Sequence, residues 1–210
     1  MVISKKAIDL IVFEEVSSQK IYENKYQGII VPPGMSGATI GIGYDLAHHT
    51  ENDIERDWRG LISSYQIAIL KMFIGLAGNK AREAVAEKTI AKEVKIPFDA
   101  AMSVFIKTSA PKYVRKVLSI YPTAGSLTPD AAGALLSLVY NRGTDLTGDR
   151  RREMKAIQPL VIAKDYNGIA AQFRFMKRLW NNGLVGRRER EAVLIETSNR
   201  VYEQKDIVEI

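Results

Sequence analysis

The chain has 210 residues, no cysteine and a formal net charge of +6. The missing cysteines exclude a disulfide framework, a cysteine nucleophile and thiolate metal sites. A hydrophobic content of 46% is ordinary for a single globular domain with a proper core, and the positive excess predicts attraction to polyanions such as nucleic acid, anionic membrane or cell-wall polymer.

Basic and acidic residues are interleaved rather than gathered into a stripe, and no nucleic-acid-binding signature is present, so a nucleic-acid partner is not expected. No run of about 18 apolar residues exists, so stable membrane insertion is not expected either. In "MVISKKAIDLIVFEEVSS" Asp9, Glu14 and Glu15 break the apolar stretch and no small-residue cleavage site follows, which predicts synthesis in the cytoplasm without a signal peptide. A monomer is expected.

The first predicted element is a helix from about Ser4 to Ser17. Ile8, Ile11 and Val12 recur at the i, i+3, i+4 spacing of one face. At ~100° per residue Glu15 falls in the middle of that apolar stripe and Glu14 well off it. A carboxyl on an apolar face is either paired or held for chemistry. "ENKYQGIIVPPGMSG" reads as strand and loop, with a turn at Pro32, Pro33 and Gly34. "ATIGIGYDL" reads as a hairpin: Gly41 and Gly43 permit a turn centred on Ile42 that places Thr39 opposite Asp45.

From residue 61 to 205 the pattern is helix after helix. "SLTPDAAGALLSLVYNRG" is a buried central helix with Thr128 as N-cap, Pro129 at its first position and Gly143 as C-cap. "DRRREMKAI", "DYNGIAAQFRFMKRLW" and "GRREREAVLIETSNRVYEQ" are three further helices, the last entered through the turn Asn181 to Gly183. The expected architecture is α+β and predominantly helical, with a small lobe over 1–60 carrying the hairpin and a helical lobe over 61–210.

Glu15, Thr39 and Asp45 together suggest glycoside hydrolysis. A desolvated carboxyl has a raised pKa and can donate a proton near neutral pH, while a second carboxyl in a wetter place stays ionised. A threonine hydroxyl can hold a water in line, and glycines leave room for a sugar ring. Each residue also has a plain structural reading: Glu15 as an ion-pair partner, Thr39 as a strand residue, Asp45 as a turn or helix cap. His48 and His49 are adjacent and point apart, so no metal is expected there. The run "GDRRREMK" reads as a solvated helix face or as a contact for anionic wall polymer.

Three stretches together resemble the phage-type lysozymes. "FEEVSSQKIYENKY…TIGIGYDL" carries a helical Glu, a Tyr seven residues on and a T-x-G-x-G hairpin, matched by Glu15, Tyr22, Thr39, Gly41 and Gly43. "ALLSLVYNRG" resembles that family's central helix with its aromatic-Asn-x-Gly end, here Tyr140, Asn141, Arg142 and Gly143. "MKRLWNNGLVGRREREAVL" resembles its Trp-containing segment followed by Gly183, Leu184, Arg187, Arg188, Glu191 and Leu194. Phage lysozymes place an Asp where this chain has Asn24; the lysozyme-like toxic domain of the pesticin type instead has its Asp after the hairpin, as Asp45 is here.

The resemblance implies a lysozyme-like fold and a cofactor-free, metal-free muramidase. It would cleave the β-1,4 bond between N-acetylmuramic acid and N-acetylglucosamine, with inversion. Glu15 would be the acid, Asp45 the second carboxylate and Thr39 the water-orienting hydroxyl. Tyr44, Asn141 and Arg142 are the substrate-contacting candidates, with core packing for Tyr44 and a surface pair for Arg142 as the equal alternatives. The implied partners are peptidoglycan glycan strands and, for a toxin, an immunity or inhibitor protein. A lytic transglycosylase and a non-catalytic wall-binding protein are the alternatives. The place of action would be the cell wall or periplasm, reached by release or by a secretion system.

Overall fold

A computed structural model describes all residues, Met1–Ile210. The protein is predominantly helical, with two small two-stranded antiparallel sheets. It divides into two compact units: Met1–Glu14 with Ala110–Ile210, and Glu15–Ser109. Residue 60, the expected edge of a small lobe, lies inside the second of these.

In the first unit, strand β1 (Val2–Ser4) leads into helix α1 (Lys5–Val16), whose last two residues belong to the second unit. The remaining helices of the unit are α7 (Ala110–Ile120), α8 (Pro129–Arg142), α9 (Arg152–Ala163), α10 (Tyr166–Phe175) and α11 (Gly183–Glu196). Helix α8 is the centre. Pro129 presets its first turn, Gly143 at φ 71° ends it, and every residue from Asp130 to Val139 is buried. A helix that is apolar all round belongs inside a bundle; α8 packs against α7, α11 and β1.

Two features here differ from expectation. Helix α11 stops at Glu196, short of the expected 204, and Ile207–Glu209 forms a strand, β4, antiparallel to β1 with Ile3 opposite Val208. The run at 148–155 becomes a short 3-10 turn and the start of α9; Arg152 Nη1 lies 3.1 Å from Asp149 and Arg151 Nε 4.0 Å from Asp145, and Arg178, from beyond the run, places Nη1 2.8 Å from Asp149.

Asp130, in the first turn of α8, accepts from Arg200 Nε at 2.8 Å and Nη2 at 3.2 Å. Burial pushes its carboxyl up, but hydrogen bonds from Arg200, Ser4 and Tyr202 and the Arg200 charge outweigh burial and hold it below the usual carboxylate range. A folded pKa below the unfolded one gives stability that is complete above the unfolded value and lost as pH falls through the folded one. Melting temperature measured from about pH 6 down to pH 2 should therefore show the wild type above Asp130→Asn at the upper end, with the gap closing below about pH 4. A gap independent of pH would remove the Asp130 charge from the account.

In the second unit, helix α2 (Gln19–Lys25), strands β2 (Thr39–Ile40) and β3 (Tyr44–Asp45), and helices α3 (Glu51–Trp58), α4 (Ser64–Lys71), α5 (Gly78–Glu87) and α6 (Phe98–Val104) follow in order. A π-helical turn, Phe105–Ser109, closes the unit. Helix α2 occupies part of the stretch expected to be strand and loop; Ser18 caps it by accepting from Ile21 N. Its Tyr22 is fully buried, donates to Ile96 O at 3.0 Å and meets Phe98 edge-on. Capping boxes start α3 (Thr50 with Asp53) and α4 (Ser63 with Gln66), and α6 packs on α2 and α3.

Candidate active site

The hairpin has the expected register: Thr39 pairs with Asp45 and Ile40 with Tyr44. Gly41 and Gly43 take φ 58° and 68°, so the turn between them needs the left-handed backbone that glycine adopts without strain. At Gly41 space is short as well, since a Cβ there would lie 3.2 Å from Trp58 and 3.3 Å from Ala101. Thr39 N and O are both bonded to Ile30, at 2.7 and 3.0 Å. Thr39 and Asp45 are therefore a non-hydrogen-bonded pair, the arrangement in which facing side chains come closest.

A groove of about 360 Å³ lies within this unit. Glu15, Thr39, Gly41, Gly43 and Tyr26 line it, with Val16, Ile30, Val31, Pro32 and Pro33 as its apolar wall. Glu15 stands at the end of α1, half-buried, one residue before Val16; Ser17, at φ 64°, then turns the chain out of the helix. The Thr39 side chain is almost wholly buried and donates from Oγ1 to Gly37 O at 3.1 Å. The lining of the groove thus joins a carboxyl residue, a threonine and two glycines with apolar residues. Tyr26 and the Val31 to Pro33 wall had no functional signal in the sequence beyond the turn marked by the prolines.

Asp45 is placed differently from its expected role. Its Oδ2 accepts from Gly37 N at 3.0 Å and its Oδ1 from Ala47 N at 2.9 Å, capping the 3-10 turn Leu46–His48. Its carboxylate does not line the groove. It grips the Gly37 peptide, whose carbonyl in turn receives the Thr39 hydroxyl. Gly37 has no room for a side chain: a Cβ would sit 2.3 Å from Asp45 Oδ1 and 2.8 Å from Leu76 O. Gly37→Ala should therefore cost about 1–3 kcal/mol by overpacking, and a chemical-denaturation midpoint equal to wild type would show that the Asp45 clasp is dispensable.

Tyr44 is a core residue: of its two readings the structure shows packing, not an exposed contact for substrate. Neighbours along a strand point to opposite faces, so the residue before Asp45 faces inward. It is 2% exposed, donates to Asp57 Oδ2 at 3.0 Å, stacks on His49 at 3.9 Å and meets Trp58 edge-on. Burial, followed by the nearby Asp57 and Asp53, pushes its hydroxyl well above the usual phenol range.

Asn141 and Arg142 end α8 in the first unit. Asn141 Oδ1 accepts from Arg188 Nη2 at 3.3 Å. Arg142 is buried, its guanidinium 4.8 Å over the Trp180 ring and donating to Arg150 O. Burial and then the charges of Arg151, Arg188 and Arg150 lower it to about 10, so it stays cationic near neutral pH. Both side chains have structural work. Asn24 and Glu23, exposed on α2, do not line the groove; Glu23 Oε1 accepts from Gln19 at 2.8 Å. Glu14, expected to lie off the apolar face, has a side chain only 9% exposed and is ion-paired with Arg190 at 2.6 Å.

Fold and site together define a predominantly helical α+β protein with a carboxyl-bearing groove beside a glycine-turned hairpin. Residues 18–187 match the family described as "Domain of unknown function (DUF8812)", and the chain belongs to it. No curated protein matches the sequence.

Proposed function

We propose that the protein is a lysozyme-like muramidase that hydrolyses the β-1,4 bond between N-acetylmuramic acid and N-acetylglucosamine in peptidoglycan. The observation that carries this reading is the meeting of Glu15 and Thr39 with Gly41 and Gly43 in one groove with an apolar wall. Sugar rings present C–H faces to such a wall, and glycines let a ring approach the backbone. Glu15 protonates the glycosidic oxygen as the bond to the anomeric carbon breaks. The oxocarbenium-like centre is then taken by water on the opposite face, with the Thr39 hydroxyl orienting that water, whose proton passes to bulk solvent while Glu15 regains one from solvent.

Asp45 acts on this reading as a positioning residue, since both its oxygens hold backbone amides and through Gly37 it fixes Thr39. One observation favours a second reading. Glu15 is the sole carboxyl among the groove's lining residues, and a lytic transglycosylase needs one acid and no water-activating base. There the C6 hydroxyl of muramic acid replaces water and an anhydro sugar results.

Mass spectrometry of purified peptidoglycan digested by the wild type decides between them. Muropeptides with a free reducing N-acetylmuramic acid support the hydrolase, anhydro ends the transglycosylase, and the absence of any product rejects both. Asp45→Asn separates positioning from base chemistry. The amide keeps one acceptor oxygen and replaces the other with a donor group. A positioning role predicts that activity and melting temperature fall together; a base role predicts loss of activity at unchanged melting temperature.

A further inference from the structure

The first unit contains a separate recess of about 420 Å³, within the range of small-ligand sites, about 300–1,000 Å³. It lies where the start of α8, the first turn of α10 and the residues after α11 meet, with Ile195 as an apolar part of its lining. Its hydrogen-bonding groups are incompletely satisfied within the chain. Thr128 stands at the N-cap of α8, where a threonine hydroxyl ordinarily accepts from the helix. It makes no such bond, and Oγ1 is buried with no partner at all. Buried polar atoms without partners are rare and call for an explanation.

The Thr128 backbone N–H donates to Tyr166 Oη at 3.4 Å, and the Tyr166 hydroxyl proton has no acceptor in the chain. The Ser198 hydroxyl and the Asn167 and Asn199 amides have no side-chain hydrogen bonds within the chain either. The one charged residue in the wall, Glu196, is engaged by Arg174, with Nη2 2.8 Å from Oε2, and hydrogen bonds from Arg174 hold its carboxyl below the usual range.

The recess therefore offers hydroxyls, amides and one aromatic ring, with its only charge already neutralised. We infer that it is a binding site for a neutral saccharide. Hydroxyl and acetamido groups match the side-chain donors and acceptors of Asn167, Ser198 and Asn199, and Tyr166 adds an aromatic ring to the lining. The inference does not rest on the cleavage proposed for the groove beside Glu15.

The test is a two-dimensional amide NMR titration of the whole protein with a tetramer of N-acetylglucosamine or of glucose, up to about 50 mM, enough to detect a millimolar complex. Saturable shifts at Thr128, Tyr166, Ser198 and the side-chain amides of Asn167 and Asn199 are expected, and the sugar that produces them tells whether acetamido groups are read. Asn167→Ala with Asn199→Ala should weaken that binding about tenfold or more. Shifts confined to the groove around Thr39 would overturn the inference while favouring the muramidase reading. No shifts with either sugar, or affinity unchanged in the double variant, would overturn it as well.

Discussion

Replacing Glu15 with Gln should lower the release of muropeptides by about 10²- to 10⁴-fold, the usual weight of a general acid. The groove carries one carboxyl, at the end of α1, and a leaving alkoxide needs a proton from a positioned acid. Gln has nearly the same shape and retains hydrogen-bonding capacity, so melting temperature should move little and wall binding should persist. The measurement is the initial rate of soluble muropeptide release from purified peptidoglycan, with a sedimentation assay for wall binding alongside. A Glu15→Gln variant whose rate falls by less than about 10-fold would remove Glu15 from the chemistry.

Much of this site was legible in the sequence because it rests on local rules. Two glycines with one residue between them permit a tight turn, and the turn fixes which residues face each other; Thr39 opposite Asp45 follows. The start of α8 at Thr128–Pro129 and its end at Gly143 follow from capping preferences. The position of Tyr44 was also implicit, since strand alternation sends it to the face opposite Asp45. What the two Asp45 oxygens hold was not legible, because Gly37 comes near them only once the hairpin and the following 3-10 turn have formed.

The elements that the sequence hides have similar reasons. Helix α2 has seven residues, too few for a periodic pattern to show, although Ser18 is its capping signal. Strand β4 has three residues and pairs with the opposite end of the chain, a long-range event that no window of sequence contains. The end of α11 is unmarked, because neither Gly nor Pro follows Glu196 to signal the stop.

The second large effect concerns stability and lies inside the first unit. Glu191 is fully buried between two arginines that are themselves buried, Arg187 and Arg188. Arg187 Nε is 3.3 Å from Glu191 Oε1, Arg188 Nε is 2.9 Å from Oε2, and Ser137 on α8 donates to Oε1. Burial pushes the Glu191 carboxyl up, against Arg188, Arg187 and Ser137, which pull it down; burial lowers Arg188 in the same way. Removing the carboxyl takes from both buried guanidiniums the partner they share. Breaking a buried pair from one side costs about 3–5 kcal/mol, and a chain of this size loses about 2–4 °C of melting temperature per kcal/mol. Glu191→Ala should therefore melt about 10 °C lower. The double variant Arg188→Met with Glu191→Leu should recover part of that loss, because it also removes the desolvation cost of Arg188, while Arg187 keeps its bonds to Ser137. Differential scanning calorimetry of the three proteins checks both steps. A Glu191→Ala protein within about 2 °C of wild type would mean that water reaches the arginines and that the cluster adds little to the fold, while a double variant no more stable than Glu191→Ala would assign the loss to shape rather than to charge.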